Sequence, residues 1–135
     1  MDRSSGEAAR DQARSSTRPE HVLAAPLLTF ALGDEFERLR REPPYEEHRR
    51  NAKTLVKSDA FRIVVVALRA GVRFDEGDPR GHVGLVVHEG AVSLTVGDET
   101  VRLRAGSVAA IEPGHEWWAQ ADEDTLLVLH LGWPG

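Results

Sequence analysis

Six histidines, three tryptophans and a short acidic loop are the parts of this chain whose chemistry could serve a site. The histidines are His21, His48, His82, His88, His115 and His130. Imidazole is the commonest metal ligand and titrates near neutral pH. The loop Phe74 to Gly81 carries Asp75, Glu76 and Asp78. Carboxylate oxygens suit a hard cation, but this spacing matches no calcium loop, and acidic turns are mostly just solvated. There is no cysteine, which excludes disulfides, thiolate metal sites and cysteine nucleophiles. Ser93 and Ser107 have no identifiable His and Asp partners, and neither a phosphate loop nor a dinucleotide fingerprint occurs. No catalytic residue can be assigned on this basis.

Charge and hydropathy narrow the partners. The formal charge is −5, and of the 17 basic residues only Lys53 and Lys57 are lysines. Arginines spread among acids give no electrostatic footprint for nucleic acid. No apolar run approaches the ~18 residues that span a bilayer. No apolar run follows Met1 in the first twenty residues, and Asp2, Glu7, Asp11 and Glu20 interrupt its basic residues. That segment resembles neither a secretory signal nor a transit peptide, so the cytoplasm is the expected compartment.

The elements that would position these side chains follow from periodicity. The 135 residues, 41% apolar and 29% charged, fit one domain. Residues 1–20 lack large apolar side chains after Met1 and read as a disordered tail. Residues 21–58 read as a strand and helix lead-in, and 59–135 as the core of a barrel. In the lead-in, Val22 to Phe30 is apolar but interrupted by Pro26, which suits an edge strand. Asp34 to Arg41 is expected to be helical, with Asp34 capping its start and Phe36 and Leu39 on one face. Pro43-Pro44 ends it, and Tyr45 to Asn51 reads as a loop or a loose turn.

From Thr54 the period changes to two. Phe61 to Leu68 is β-branched and almost wholly apolar, like a strand buried on both faces. Val83 to Val87, Ala91 to Val96, Glu99 to Arg104, Ser107 to Ile111, Glu116 to Gln120 and Thr125 to Leu131 complete the set. Gly97-Asp98 makes a two-residue turn. Many short strands between evenly spaced turns imply an all-β sandwich or barrel.

The glycine frame is more specific. Gly71, Gly77, Pro79, Val83 and Gly90 keep the spacing of one motif, and Gly106, Glu112, Gly114, Trp117 and Ala121 that of another, fifteen residues on. Together they resemble the two motifs of the cupins. Segments such as LRAG (Leu68 to Gly71), VRLRAG (Val101 to Gly106) and EPG (Glu112 to Gly114) look like those of small stand-alone bacterial members. NAKTLVKSD (Asn51 to Asp59) resembles their lead-in. The resemblance covers roughly Phe61 to Leu131 and implies a small jelly-roll β-barrel of the RmlC-like type, with a short N-terminal helix.

It also implies where a metal would sit, and there this chain departs. The family's ligand positions, three histidines and a glutamate, hold Gly77, Pro79, Val83 and Trp117. None of these side chains can ligate a divalent transition metal, so no metal and no other cofactor is expected. If Val83 points inward, as its motif position implies, alternation turns Leu85 and Val87 inward and His82 and His88 outward. His115 shares the parity of Trp117 and stands at the approach to its strand. His130 lies on the last strand with Leu126 and Val128, and His21 and His48 fall outside the barrel.

The inner wall is then Val83, Leu85, Val87, Trp117 and Ala119. With His115 or Glu76 as a polar rim contact, it would suit a small apolar or aromatic ligand. Trp117 could instead plug the vacated space. Trp118 has the opposite parity, and beside outward Val86 it would suit a subunit contact. The resemblance implies a homodimer, and Trp133 is expected against a neighbouring strand or subunit. Three functions remain: a metal-free binding or regulatory module, an isomerase- or dioxygenase-type enzyme with relocated residues, and a plugged structural barrel.

Overall fold

The computed structural model describes residues 21–22, 25–75 and 80–133. The segment 1–20, expected as a disordered tail, and residues 76–79 of the acidic loop lie outside these residues. In chain order the described elements are β1 (His21–Val22), α1 (Leu32–Arg41), α2 (Pro43–Glu47), β2 (Arg50–Lys57), β3 (Phe61–Leu68) and β4 (Arg73–Phe74). They continue with β5 (His82–Glu89), β6 (Ala91–Val96), β7 (Glu99–Arg104), β8 (Val108–Ile111), β9 (Trp117–Ala121) and β10 (Thr125–Gly132). One sheet has the order β1-β2-β3-β10-β5-β8 and the other β4-β9-β6-β7. All pairings are antiparallel except β1 with β2.

Two cores follow from alternation along the long strands. Val66 and Leu68 of β3, Leu127, Leu129 and Leu131 of β10 and Val83, Leu85 and Val87 of β5 meet Val92, Leu94 and Ala119 between the sheets. On the outer face, Val65 and Ala67 of β3 and Leu126 and Val128 of β10 meet Phe36 and Leu39 of α1. This explains the two-sided apolar pattern of β3: one face lines the barrel and the other lies under a helix. Burying Phe36 and Leu39 contributes about 2 kcal/mol each. The expected helical face is therefore the one that packs.

Several boundaries differ from expectation. β1 is only two residues long and pairs with Val56 and Lys57. Residues 25–31 form no regular element, in keeping with Pro26, which has no N–H to give a ladder. α1 starts at Leu32, with Ala31 as N-cap and no side-chain cap. Asp34 lies in the first turn, where its charge still favours the positive end of the helix dipole. Where Tyr45 to Asn51 was expected as a loop or a loose turn, its first residues complete a short helix, Pro43–Glu47, started by its own prolines and anchored by buried Tyr45.

The period of two begins at Arg50, not at Thr54. β2 sits inside the six-stranded sheet, with Ala52 opposite Val66 and Thr54 opposite Val64. Directly paired residues share a face, so Arg50, Ala52 and Thr54 face the barrel interior. A bulge between Thr54 and Val56 then puts both Leu55 and Val56 into the outer core. Asn51 and Lys53 face α1. Asn51 donates its amide to the Leu39 carbonyl at 3.0 Å and to Glu42 at 2.8 Å. Lys53 pairs with Glu35 at 3.2 Å, their side chains 8% and 11% exposed.

Candidate functional site

The inner-wall residues come together in the barrel core. Val83, Leu85, Val87, Trp117 and Ala119 are all buried in one cluster. Phe74 of β4 meets Trp117 there, with ring centroids 6.1 Å apart and planes tilted by 45°. Trp117 is 5% exposed, and its buried indole N–H has no hydrogen-bond acceptor among the described residues. A buried donor left unmatched costs about 1–3 kcal/mol.

Of the two polar residues of the expected site, His115 stands apart from this cluster. His115 is exposed in the approach to β9, with Nε2 3.2 Å from Glu112 Oε1. Glu76 lies outside the described residues. His82 and His88 are exposed on the outer face of β5, as parity requires, and His88 stacks on Phe36 at 5.1 Å. His130 is exposed on the outer face of β10. Val86 and Trp118 do not form one surface. Val86 packs into the core under α1 on the six-stranded sheet, whereas Trp118 belongs to β9 in the other sheet. The Trp118 ring is covered by the Arg73 guanidinium at 4.0 Å. Trp133 packs against the barrel core, with the Arg62 guanidinium 5.2 Å from its ring.

The fold's metal position was tested on its donors. Gly77 and Pro79 lie outside the described residues and carry no side-chain ligand. Val83 and Trp117 are buried apolar side chains packed in the core. Among the described residues, no three His, Asp or Glu side chains are placed to share a metal ion. These positions do not fit the group.

Space open to a small molecule lies where the Arg50 end of β2 meets β4, the edge strand of the four-stranded sheet. A cavity of about 650 Å³ is lined there by His48, Arg50, Asn51, Ala52, Val66, Val72, Arg73 and Phe74. Its volume falls within the range of small-molecule sites. Val66 and Phe74 belong to the barrel core, and Val72 packs against it. Arg50 crosses the seam between the sheets, its Nη1 donating to the Arg73 carbonyl at 3.3 Å. His48 ends α2, and its N–H donates to the Pro44 carbonyl at 2.8 Å.

Between His48 and Arg50, Arg49 has φ 62°. This left-handed turn is uncommon for a residue other than glycine. It is held by the Arg69 N–H, which donates to the Arg49 carbonyl at 2.9 Å, and by Arg49 Nη2, which donates to the Ala70 carbonyl at 3.1 Å. Beside this corner, Arg69 lies 5.2 Å over the Tyr45 ring. Burial pushes the Tyr45 hydroxyl above its ordinary pKa, and the Asp124 charge adds to the rise.

His48, Arg50 and Arg73 are the residues that the sequence pattern missed. β2 opens with polar residues, and His48 precedes any strand period. The one available signal was the small inward pair Ala52 and Thr54, which continues the alternation back toward Arg50.

No family model and no curated protein matches the chain. Solved structures do. A conserved protein of unknown function from Streptococcus pyogenes superposes with a TM-score of 0.63 at 16% identity, over 94% of this chain and 91% of that one. A cupin superfamily protein from Desulfitobacterium hafniense gives 0.60 at 14% identity, over 63% and 78%. Salicylate 1,2-dioxygenase from Pseudoaminobacter salicylatoxidans, in complex with gentisate, gives 0.67 at 19% identity, over 76% of this chain and 33% of that one. With two antiparallel sheets closed around one core, and these likenesses, the chain has the jelly-roll fold of the cupins.

Proposed function

We propose that the protein is a small-molecule-binding module whose site is the cavity between β2, β3 and β4. The supporting observation is the cavity itself, lined by apolar Val66, Val72 and Phe74 and by Arg50, which bridges to the Arg73 carbonyl. Sites of this type pair an apolar body with a few placed polar groups. Trp117 backs this lining through Phe74, and Val83, Leu85, Val87 and Ala119 support it from the core. His115 stands apart from this cavity, exposed in the approach to β9. The test is titration of the 15N-labelled protein with a small aromatic fragment such as phenol, in the parent and in Ala52→Trp, which fills the cavity. Amide shifts centred on Ala52, Val66 and Phe74, lost in the filled variant, support the site. Shifts that persist in the folded filled variant place binding elsewhere.

One observation favours a plugged barrel for the remainder of the interior. Trp117 and Phe74 fill the space between β5 and β9, so that half is packing rather than pocket. Full loss of ligand response from the β2–β4 side would extend the plugged reading to the whole barrel.

A further inference from the structure

We propose that the cavity between β2 and β4 selects a hydroxyl compound, a small apolar body whose O–H is hydrogen-bonded to the imidazole of His48. This deepens the binding function above and rests on it. The lining divides by chemistry. Ala52, Val66, Val72 and Phe74 supply the apolar part. Val66 and Phe74 are buried. Ala52 stands directly opposite Val66 and is exposed, so its methyl group marks the open side of the cavity.

Three of the four polar side chains on the cavity are engaged by the protein. Asn51 donates its amide to the Leu39 carbonyl and to Glu42, and its oxygen accepts from the Ala52 N–H at 3.0 Å. Arg50 bridges to the Arg73 carbonyl. Arg73 lays its guanidinium over Trp118 at 4.0 Å and has Asp75 3.7 Å from its Nε. His48 is the fourth. It is exposed, and among the described residues its imidazole has no hydrogen-bond or ion-pair partner.

The backbone of His48, by contrast, is held on both sides. Its N–H closes α2 on the Pro44 carbonyl at 2.8 Å. The left-handed turn at Arg49 that follows is pinned by the Arg69 N–H and by the Ala70 carbonyl. Strain of this kind persists only where the surroundings hold it, and it concentrates at binding sites. Here it turns the chain from α2 into β2 and leaves His48 on the cavity.

Ligand classes then separate by what they do to that imidazole. A hydrocarbon fills the apolar part but covers a ring nitrogen without giving it a partner, which costs free energy. An ether can only accept, so it suits one tautomer. A hydroxyl both donates and accepts, so it serves whichever ring nitrogen faces the cavity. The body that carries it lies against Val66, Val72 and Phe74.

The test compares phenol, its isostere toluene, and anisole as probes on the full chain, by NMR titration at pH 8, where imidazole is ordinarily neutral. Water solvates phenol better than toluene, so tighter binding of phenol requires a hydrogen bond in the site. Phenol is expected to bind about fivefold more tightly than either isostere or ether, the factor that one net hydrogen bond supplies. His48→Leu is expected to erase that preference. His48→Gln is expected to keep part of it, because an amide also donates and accepts. The comparison on the parent chain stands whatever the variants do. Equal binding of the three probes at Val66 and Phe74 would overturn the hydroxyl selection and leave the cavity function standing. An undiminished preference for phenol in folded His48→Leu would overturn the role of His48. No response to any probe at these residues would overturn the cavity function as well.

Discussion

Arg50 reaches from one sheet of the barrel to the other, its Nη1 3.3 Å from the Arg73 carbonyl, and so ties the seam along which the cavity opens. β4 has only two residues and pairs only with β9, so this bond is a direct link between β4 and the opposite sheet. Removing it in Arg50→Met is expected to cost about 1 kcal/mol of stability. It is also expected to speed hydrogen exchange at Arg73 and Phe74 while β5 and β10 stay protected. Urea unfolding and native-state exchange measure both.

The Phe74–Trp117 contact makes a second prediction. Trp117→Ala empties a packed site and is expected to cost about 3–5 kcal/mol. Trp117→Phe loses part of the volume but also removes the buried N–H that has no acceptor among the described residues. Its cost is expected to stay below about 2 kcal/mol, because relief of an unmatched donor offsets the smaller cavity. Chemical denaturation of the two variants checks the order.

Glu35 and Lys53 fasten α1 to β2 through a mostly buried ion pair, at 3.2 Å. Glu35→Leu strands the Lys53 ammonium and is expected to cost about 3 kcal/mol. Adding Lys53→Met is expected to recover most of that loss, since an apolar pair needs no charge partner. A double-mutant cycle by urea denaturation reads the difference.

Backbone geometry sets a fourth prediction. Gly90 has φ +86°, and a Cβ there would run into the Asp124 carbonyl and the Thr125 hydroxyl. That hydroxyl is already engaged, accepting from the Ala91 N–H and donating to the Ala91 carbonyl. Gly97 also has positive φ, but nothing lies within 4 Å of its Cβ position. Gly97→Ala is therefore expected to cost about 1 kcal/mol, and Gly90→Ala about 3 kcal/mol or more through added overpacking. Thermal melts distinguish them.

At Arg49 the same geometry works in reverse. Replacing this left-handed arginine by glycine relieves about 1 kcal/mol of strain and loses the exposed bond to the Ala70 carbonyl. Arg49→Gly is expected to lie within about 0.5 kcal/mol of the parent, while Arg49→Val, β-branched at positive φ, is expected to cost about 2 kcal/mol. Denaturation midpoints at equal slope check both.

The barrel was legible because β5 and β6 alternate cleanly and the turns carry glycine. With Val83 set inward by its motif position, parity put Leu85 and Val87 inward and His82 and His88 outward, and each lies there. The helix was legible from Phe36 and Leu39. β2 hid its first half because its outward residues are polar yet covered by α1, with Asn51 bonded to Leu39 and Lys53 to Glu35. Polar side chains buried with partners do not write a hydrophobic period. Its inward residues Ala52 and Thr54 are small, so the reversed pattern carried only a faint signal, and the cavity on that face went unread with it. The relation of Val86 to Trp118 was misjudged for another reason: parity gives a face within one strand but not the sheet to which the strand belongs.

The most direct measurement is a set of intermolecular NOEs between the ring of bound phenol and the methyl groups of the protein. The account predicts NOEs to Ala52, Val66 and Val72. NOEs to Val83, Leu85 and Val87 instead, or to no barrel methyl at saturating probe, would contradict it.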